Sequence, residues 1–456
     1  MIILVGCLLR IYLAADPFLH EWDERYHALV AKNMMAHPFR PMLYQQPLLP
    51  YDFRHWAGNH IWLHKQPLPL WLMAISLKIF GISEFAVRLP SIILSTLGIF
   101  LTFEIGKYFY GKRVGLVAAF FFAINGLILE LTSGRVATDH IDLHFLFFIT
   151  LGIFLAIRQI QSRHYAWLWS FAVGLAVGAA ILCKWLPALI VFPAWFFLSR
   201  ETNQRPRPIL FHFSIALLVT TAVALPWQLY IMDQFPQEAF WEYGHHLRHI
   251  TEGLDGHDKP WYYHLDRIRI VYGELIYLPL LWFFWRAFRK INRPIFFKRL
   301  ALLTWIGLPM VFFSLVATRM QAYTVLIAPA LFILTALFWR FVKIWRSHFR
   351  SVWLRRLASL IAILLIALPL RYTFERLKLF SSRELTQEKK LIKNLQLPVQ
   401  NANKVVLFNT QWPIECMFYN DIAAAYSGMP DEMIMARLQM EGYHIFIVTN
   451  GQVKRW

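Results

Sequence analysis

Cysteine is scarce in this chain: Cys7, Cys183 and Cys416 are the only three in 456 residues. They are too few and too scattered for a disulfide framework, and two lie in apolar stretches, so no redox or metal role is read into them. Charge is scarce as well. Charged residues make up 16% and hydrophobic residues 58%, against roughly a quarter charged in a soluble domain, and no soluble core absorbs that much apolar surface. Acidic residues are the scarcer sign, 27 against 46 Lys and Arg, for a formal charge of +19. In a soluble protein that balance would suggest nucleic acid; here the cations sit in short clusters between apolar runs, the positive-inside pattern of a membrane protein, and no nucleic-acid partner is expected. There is no internal repeat and no low-complexity segment, and no cleavable signal is visible, since the opening apolar run lacks a basic flank and is interrupted by Arg10. That run reads as a first anchor.

The apolar stretches approach the ~20 residues needed to cross a ~30 Å hydrocarbon layer. Candidate crossings fall near 1–15, 86–105, 114–131, 141–157, 166–182, 187–199, 209–230, 271–285, 300–317, 322–339 and 357–371, about eleven in all. With the N-terminus inside, the cytoplasmic connections carry Lys107/Lys112/Arg113, Arg158/Arg163, Arg200/Arg205/Arg207, Arg286/Arg289/Lys290/Arg293/Lys298/Arg299 and Arg340/Lys343/Arg346/Arg350/Arg355/Arg356, all on one side. This register requires the apolar segment from Leu68 to Phe80 to lie on or dip into the outer interface rather than cross. The outer face, expected to be periplasmic, then receives loops 16–85 and 231–270, a short loop around Arg135 to His140, and the tail after 372. In the tail, Lys404 to Asn409 and His444 to Asn450 read as buried strands, with helical patterns near Pro413 to Tyr419 and Asp431 to Glu441. The expected architecture is a polytopic α-helical membrane protein, with a transmembrane domain over 1–372, interfacial helices in its first outer loop, and a small extramembrane α/β domain over 373–456.

Several outer-face residues have the makings of a site. Glu21, Asp23 and Glu24 cluster just beyond the first span, where carboxylates can bind a divalent cation or take a proton from a hydroxyl. A solvated acidic loop fits that cluster equally well. Asp139 and Asp142 stand where a span begins, a depth at which ionisable residues are functional by default, although Asp139 also suits a helix N-cap. Lys65, Lys184, Arg248 and Arg319 would together hold a phosphate, whereas each alone would snorkel at the lipid headgroups. Loop 231–270 holds His245, His246, His249, His257 and His264, but no spacing among them matches a zinc signature. Trp241, Trp261, Tyr262 and Tyr263 read as an interfacial aromatic belt.

At these residues the sequence resembles the polyprenyl-phosphate-dependent glycosyltransferases of the C-type membrane superfold, a group that includes the protein O-mannosyltransferases and the bacterial transferases that put aminoarabinose on lipid A. The family's D-E-x-x-Y, then A-x-x-A-x-x-M, appears as Asp23, Glu24, Arg25, Tyr26 and His27, then Ala28, Ala31 and Met34. K-P-P-L-x-x-W appears as Lys65, Gln66, Pro67, Leu68 and Trp71, followed by the stretch from Phe80 to Ser91. Further matches are Thr138 and Asp139, Lys184 to Pro187, Pro226 and Trp227, His245 to Arg248, Pro260 to Tyr263, and Tyr323 after Arg319. The order and shared outer-face placement of these motifs carry the resemblance. The sequence departs from the family pattern where His27 replaces a tyrosine, Gln66 a proline, Trp185 a glycine and Arg319 a lysine.

The resemblance implies an inverting transfer of one sugar from a polyprenyl-phosphate carrier, undecaprenyl phosphate in bacteria, to a lipid A, protein or glycan acceptor outside the cytoplasmic membrane. By the same analogy Asp23 is the base, with Asp139 or Glu24 orienting the acceptor or a cation. Lys65, Arg248, Arg319 and Lys184 stabilise the leaving phosphate, and Arg25, Tyr26, His27, Asp142, His245 and Tyr323 line the substrate space. No cofactor is fixed by the resemblance, and a divalent cation stays open. The rival reading is a transporter or flippase for a lipid-linked sugar, but such proteins place ionisable groups near the midplane and show repeated halves. A third reading keeps the fold as a carrier-binding subunit without catalysis.

Overall fold

The computed structural model describes residues 1–162, 164–201, 206–289, 292–378, 385–395, 402–449 and 452–456. Arg163, Arg205, Lys290 and Asn450, named above, lie outside the described residues, as does the side chain of Arg207. Long apolar runs become helices, because inside hydrocarbon a backbone must satisfy its own hydrogen bonds. Seven described helices are long and apolar enough to cross a membrane: Glu84–Tyr110, Asp139–Gln161, Ala166–Lys184, Pro208–Gln234, Arg293–Leu315, Gln321–His348 and Val352–Leu377. Two bent pairs, Lys112–Ile124 with Gly126–Thr132 at 54° and Tyr263–Tyr272 with Glu274–Ala287 at 115°, raise the count to nine if each is one span. The chain is thus a mostly helical, multi-pass membrane protein. Two of the expected crossings come out shorter. The first is the 12-residue helix Ile2–Leu13, about 18 Å at 1.5 Å per residue. The second divides into a 3-10 turn, Leu186–Ile190, and the 11-residue helix Val191–Glu201. The apolar segment after Lys65 forms the 14-residue helix Pro67–Phe80, about 21 Å long and so too short to span the bilayer upright.

The two ends of the bundle differ in charge chemistry. At one end Lys298 bonds the Tyr108 carbonyl and pairs with Glu201, Arg340 reaches the Tyr110 carbonyl, and Arg299 holds that of Arg286. Asp139 starts the helix whose last turn carries Arg158, and Glu84 starts the helix that ends at Tyr110. The basic clusters and the candidate site therefore occupy opposite ends.

Beyond the helices, residues 405–455 form a four-stranded sheet of order β2-β1-β3-β4, with β1 Val405–Phe408, β2 Ala424–Ala425, β3 His444–Thr449 and β4 Gln452–Arg455. β1 pairs in parallel with β2 and β3, and β4 runs antiparallel to β3. Its apolar face is continuous with the segment 16–85: Leu29, Met34, Trp62 and Met73 share a core with Val406, Phe418 and Phe446. Lys32 adds a polar link by donating to the carbonyls of Met417 and Phe418.

Candidate active site at one end of the bundle

The motif from Asp23 to His27 opens the helix Asp23–Met34, and successive side chains on a helix point in different directions. Asp23 and Glu24 therefore enter different surroundings. Glu24 is fully buried, with Arg88 Nε 2.6 Å from Oε1 and Arg88 Nη2 2.9 Å from Oε2. The His20 backbone N–H donates to Oε2 at 2.7 Å, the His20 ring lies 2.6 Å away, and the His140 ring contacts Oε1 at 3.3 Å. Burial opposes the charge on Glu24, but Arg88 and His20 outweigh it and hold its carboxyl well below the usual range. Arg88 also takes the carbonyls of Ala14, Asp16 and Phe18, and Arg135 clamps Asp16 from the other side. Gly134, at φ +74°, approaches so closely that an added Cβ would collide with the Glu24 carboxylate. Both carboxylate oxygens of Glu24 are thus committed inside the protein.

Asp23 keeps a small exposure, and its Oδ2 accepts from the Thr138 backbone N–H at 2.8 Å and lies 3.7 Å from Lys65 Nζ. Burial pushes its pKa up, yet Lys65, then His27 and His64, hold it well below the ordinary carboxylate range. Thr138 presents that N–H from a left-handed φ of 67°, followed by Asp139 at φ 20°. Asp139 is the first residue of its helix rather than the cap; its Oδ1 accepts from the His140 N–H and contacts His27 Nδ1 at 2.9 Å. His27 Nε2 and Asp139 Oδ2 are buried without a hydrogen-bond partner. Asp142 bonds Thr138 Oγ1 and Lys184, whose ammonium also lies 4.5 Å from the centre of the Tyr323 ring. Distant segments therefore converge as a layered cluster: Asp23 with Lys65, Asp139 with His27, and Asp142 with Lys184 and Tyr323.

The other candidates suggested by the sequence separate when placed in space, with Arg248 exposed and bonded to Glu252 at 2.7 and 2.9 Å. Arg319 is buried and committed to backbone carbonyls of Ser314, Ala317 and Lys259, so it fastens the loop before Pro260. Arg25 points to the sheet region, 3.4 Å from Glu415, with its guanidinium over the Tyr26 ring. Tyr26 in turn packs edge-on against Trp56.

A histidine layer above Lys65 was only partly visible in sequence. His64 stacks on Trp56 with ring centres 5.0 Å apart, and its Nδ1 lies 3.5 Å from Glu242 Oε2. His246, stacked 6.2 Å from His64, is pushed down to about 3 by burial and then by His64, and His249 to about 4 by burial and then by His245. Both rings are neutral near pH 7. His245, His249 and Asp255 bring ligand atoms within 4.8 Å of one another, and His245 Nε2 is buried without a partner. Two imidazoles and a carboxylate form a donor set that suits a zinc-type ion. His257 and His264 take no part in this trio, and His264 packs against Phe313.

His64, Glu242 and Arg88 were missed in sequence. The available signals were the adjacency of His64 to Lys65 and the i, i+4 spacing of Glu242 and His246. Trp185 carries a further lesson: it ends its helix at φ 65°, a conformation that favours glycine, while its ring packs 4.9 Å from Tyr243 and 5.9 Å from His246.

Residues 64–229 match the family described as dolichyl-phosphate-mannose-protein mannosyltransferase. The chain is similar to the undecaprenyl phosphate-alpha-4-amino-4-deoxy-L-arabinose arabinosyl transferase of Pseudomonas savastanoi pv. phaseolicola, 28% identical over 341 residues, which cover 70% of this chain and 57% of that protein. Arabinosyl transferase 1 of the same description from Pseudomonas fluorescens is 26% identical over 285 residues, covering 59% and 49%. The chain spans about half the length of these curated relatives. Among solved structures it resembles ArnT from Cupriavidus metallidurans bound to undecaprenyl phosphate, with a TM-score of 0.66 at 17% identity over 99% of this chain and 91% of that one. It also resembles the oligosaccharyltransferase AglB from Archaeoglobus fulgidus in complex with an inhibitory peptide and a dolichol-phosphate, with a TM-score of 0.63 at 12% identity over 98% and 69%. At these identities the structural likeness is one of fold.

Proposed function

We propose that this chain is a C-type membrane glycosyltransferase that moves one sugar from a polyprenyl-phosphate carrier to a hydroxyl of a lipid, glycan or protein acceptor. The single observation that carries the reading is the Asp23 carboxylate 3.7 Å from the Lys65 ammonium, at the bundle end away from the basic clusters. The spacing leaves a cation free to take a phosphate oxygen and a base facing the same space. The acceptor O–H gives its proton to Asp23, its oxygen attacks the anomeric carbon, and the bond from that carbon to the phosphate oxygen breaks. Polyprenyl phosphate leaves as an anion that Lys65 stabilises, and a single displacement inverts the anomeric centre.

Lys65, held against Asp23 alone, makes it a weak base. A donor phosphate that shares Lys65 raises the Asp23 pKa, so base strength rises when donor is bound. Lys184, gripped by Asp142, is a second phosphate-facing cation. We assign Glu24 to positioning, since its oxygens are spent on Arg88 and His20. Asp139 orients His27 toward the acceptor space, with Tyr323 and His245 lining it. Arg319 acts through the loop before Pro260, and Arg248 must leave Glu252 to meet a phosphate. Arg25 and Tyr26 couple the site helix to the sheet.

The same reading takes about eleven crossings, a transmembrane domain over 1–372 and a small outer domain over 373–456. It puts the chain in the bacterial inner membrane, with the site and loops 16–85 and 231–270 periplasmic. Support comes from the basic clusters gathered at the opposite end. The transporter reading is weaker, because the charged cluster sits at the helix ends rather than at mid-depth.

The test compares envelope lipids, glycans and proteins by mass spectrometry in a deletion strain complemented with the parent gene or with Asp23→Asn. The expected result is one sugar modification lost on deletion, restored by the parent and not by the variant. Full restoration by Asp23→Asn overturns the assignment.

A further inference from the structure

The sheet carries a feature that the transfer site does not use. A cavity of about 770 Å³ opens at the carboxyl ends of the parallel strands, within the range of small-molecule sites. Asn409, Thr410 and Gln411 follow β1, Ser427 follows β2, and Val448 lies near the end of β3. The chain leaves β1 for β2 on one side and returns to β3 on the other, so the cavity sits at the switch point where open α/β sheets bind ligands. Asn409, at φ 59°, bridges the two strand ends by donating to the Val448 carbonyl at 2.8 Å.

Its lining defines a ligand class. The far wall is the helix Gln387–Lys393, which offers Gln387, Glu388 and Leu391. Amides, hydroxyls and one carboxylate bond neutral hydroxyl groups as both donors and acceptors, while Leu391 and Val448 suit the apolar face of a sugar ring. Among the described residues no lysine or arginine lines the cavity, and Glu388 repels anions, so a phosphate ligand does not fit. The wall is also tied to the segment that leads into the Asp23 helix and to the start of the Glu84–Tyr110 helix: Lys389 lies 3.4 Å from Glu21, and Lys393 bonds the Pro17 carbonyl at 2.7 Å and pairs with Glu84.

We propose that this crevice is a second saccharide site, which holds a neutral sugar unit of the acceptor apart from the hydroxyl presented to Asp23. The acceptor role rests on the transfer reading; the saccharide site itself does not. The test uses the full chain in lipid nanodiscs and saturation-transfer NMR with mannobiose and N-acetylchitobiose, with inorganic phosphate as competitor. Ser427→Trp fills the crevice from an exposed position, and Glu388→Gln is the milder variant. At least one disaccharide should bind the parent, with affinity falling about tenfold or more in Ser427→Trp and several-fold in Glu388→Gln, roughly the loss of one or two hydrogen bonds. Asp23→Asn should bind like the parent, and phosphate should not compete. No disaccharide binding, binding unchanged in both crevice variants, or displacement by phosphate overturns the proposal. Binding that passes these tests beside a parent inert in transfer sinks the transfer reading and leaves the saccharide site standing.

Discussion

Asp23 and Glu24 are neighbours in one motif with opposite fates. Glu24 is enclosed by Arg88, His20 and His140, with every oxygen used, whereas Asp23 meets one backbone N–H and one lysine at 3.7 Å and keeps some exposure. A carboxylate satisfied on all sides builds structure, since removing it from its partners costs more than a reaction step returns. One held ionised beside an incompletely paired cation has room for substrate. The motif therefore divides between an anchor and the carboxylate proposed as the base, one residue apart.

The largest expected effect separates the two roles. Asp23→Asn should lower transfer by about 100- to 10,000-fold, as loss of a general base does, while the thermal unfolding midpoint falls by less than that of Arg88→Ala. Transfer within a few-fold of the parent would move the base to Asp139, to be tested as Asp139→Asn. Arg88→Ala should do the reverse by leaving Glu24 buried and unpaired, a loss of about 3–5 kcal/mol in stability, seen as a lower unfolding midpoint and yield. A melt like the parent's would dissolve the contrast between anchor and proposed base. Gly134→Ala probes the same anchor through shape, with about 1–3 kcal/mol lost; a neutral effect would mean that the Glu24 surroundings yield more easily than close packing allows.

Lys65→Gln sharpens the comparison from the other side. Asp23 is depressed mainly against burial and by Lys65; without the cation its pKa rises, so the acid limb of the pH–rate profile should move upward. Donor affinity should fall by roughly tenfold or more, the worth of a charge-assisted hydrogen bond. The sign for stability follows. A depressed carboxylate stabilises the fold above its unfolded pKa, and that stability is lost as pH falls through the folded value, so the parent's stability lead over Lys65→Gln should be greatest near neutral pH and shrink in acid. An acid limb that stays in place would unseat Lys65 as the partner. The smallest effect is expected at Arg248→Ala, whose exposed pair with Glu252 should leave the melt unchanged and donor affinity within about twofold; a large rise in donor KM would return Arg248 to the phosphate.

Much of this was legible from residue order. The apolar runs and the one-sided basic clusters indicate a multi-pass bundle, because hydrocarbon constrains composition segment by segment. The short helix after Lys65 and the strands at Val405–Phe408 and His444–Thr449 follow from length and pattern. The motifs in order pointed to the family whose description residues 64–229 match. Less was legible where helices break: the stretch after Lys184 has the length of a span, but Pro187 and Pro193 lie within a 3-10 turn and a short helix.

Sequence by itself determined the solvent, the class of fold and the inventory of charged groups, because each depends on local composition and spacing. Only tertiary structure decided which charge meets which. Arg88 finds Glu24 across 64 residues and Asp139 finds His27 across 112, while Arg248 and Arg319, equal to Lys65 on paper, are spent on Glu252 and on backbone carbonyls. Pairing of charges is a matter of distance and burial, which depend on how the helices pack and not on the order of residues along the chain.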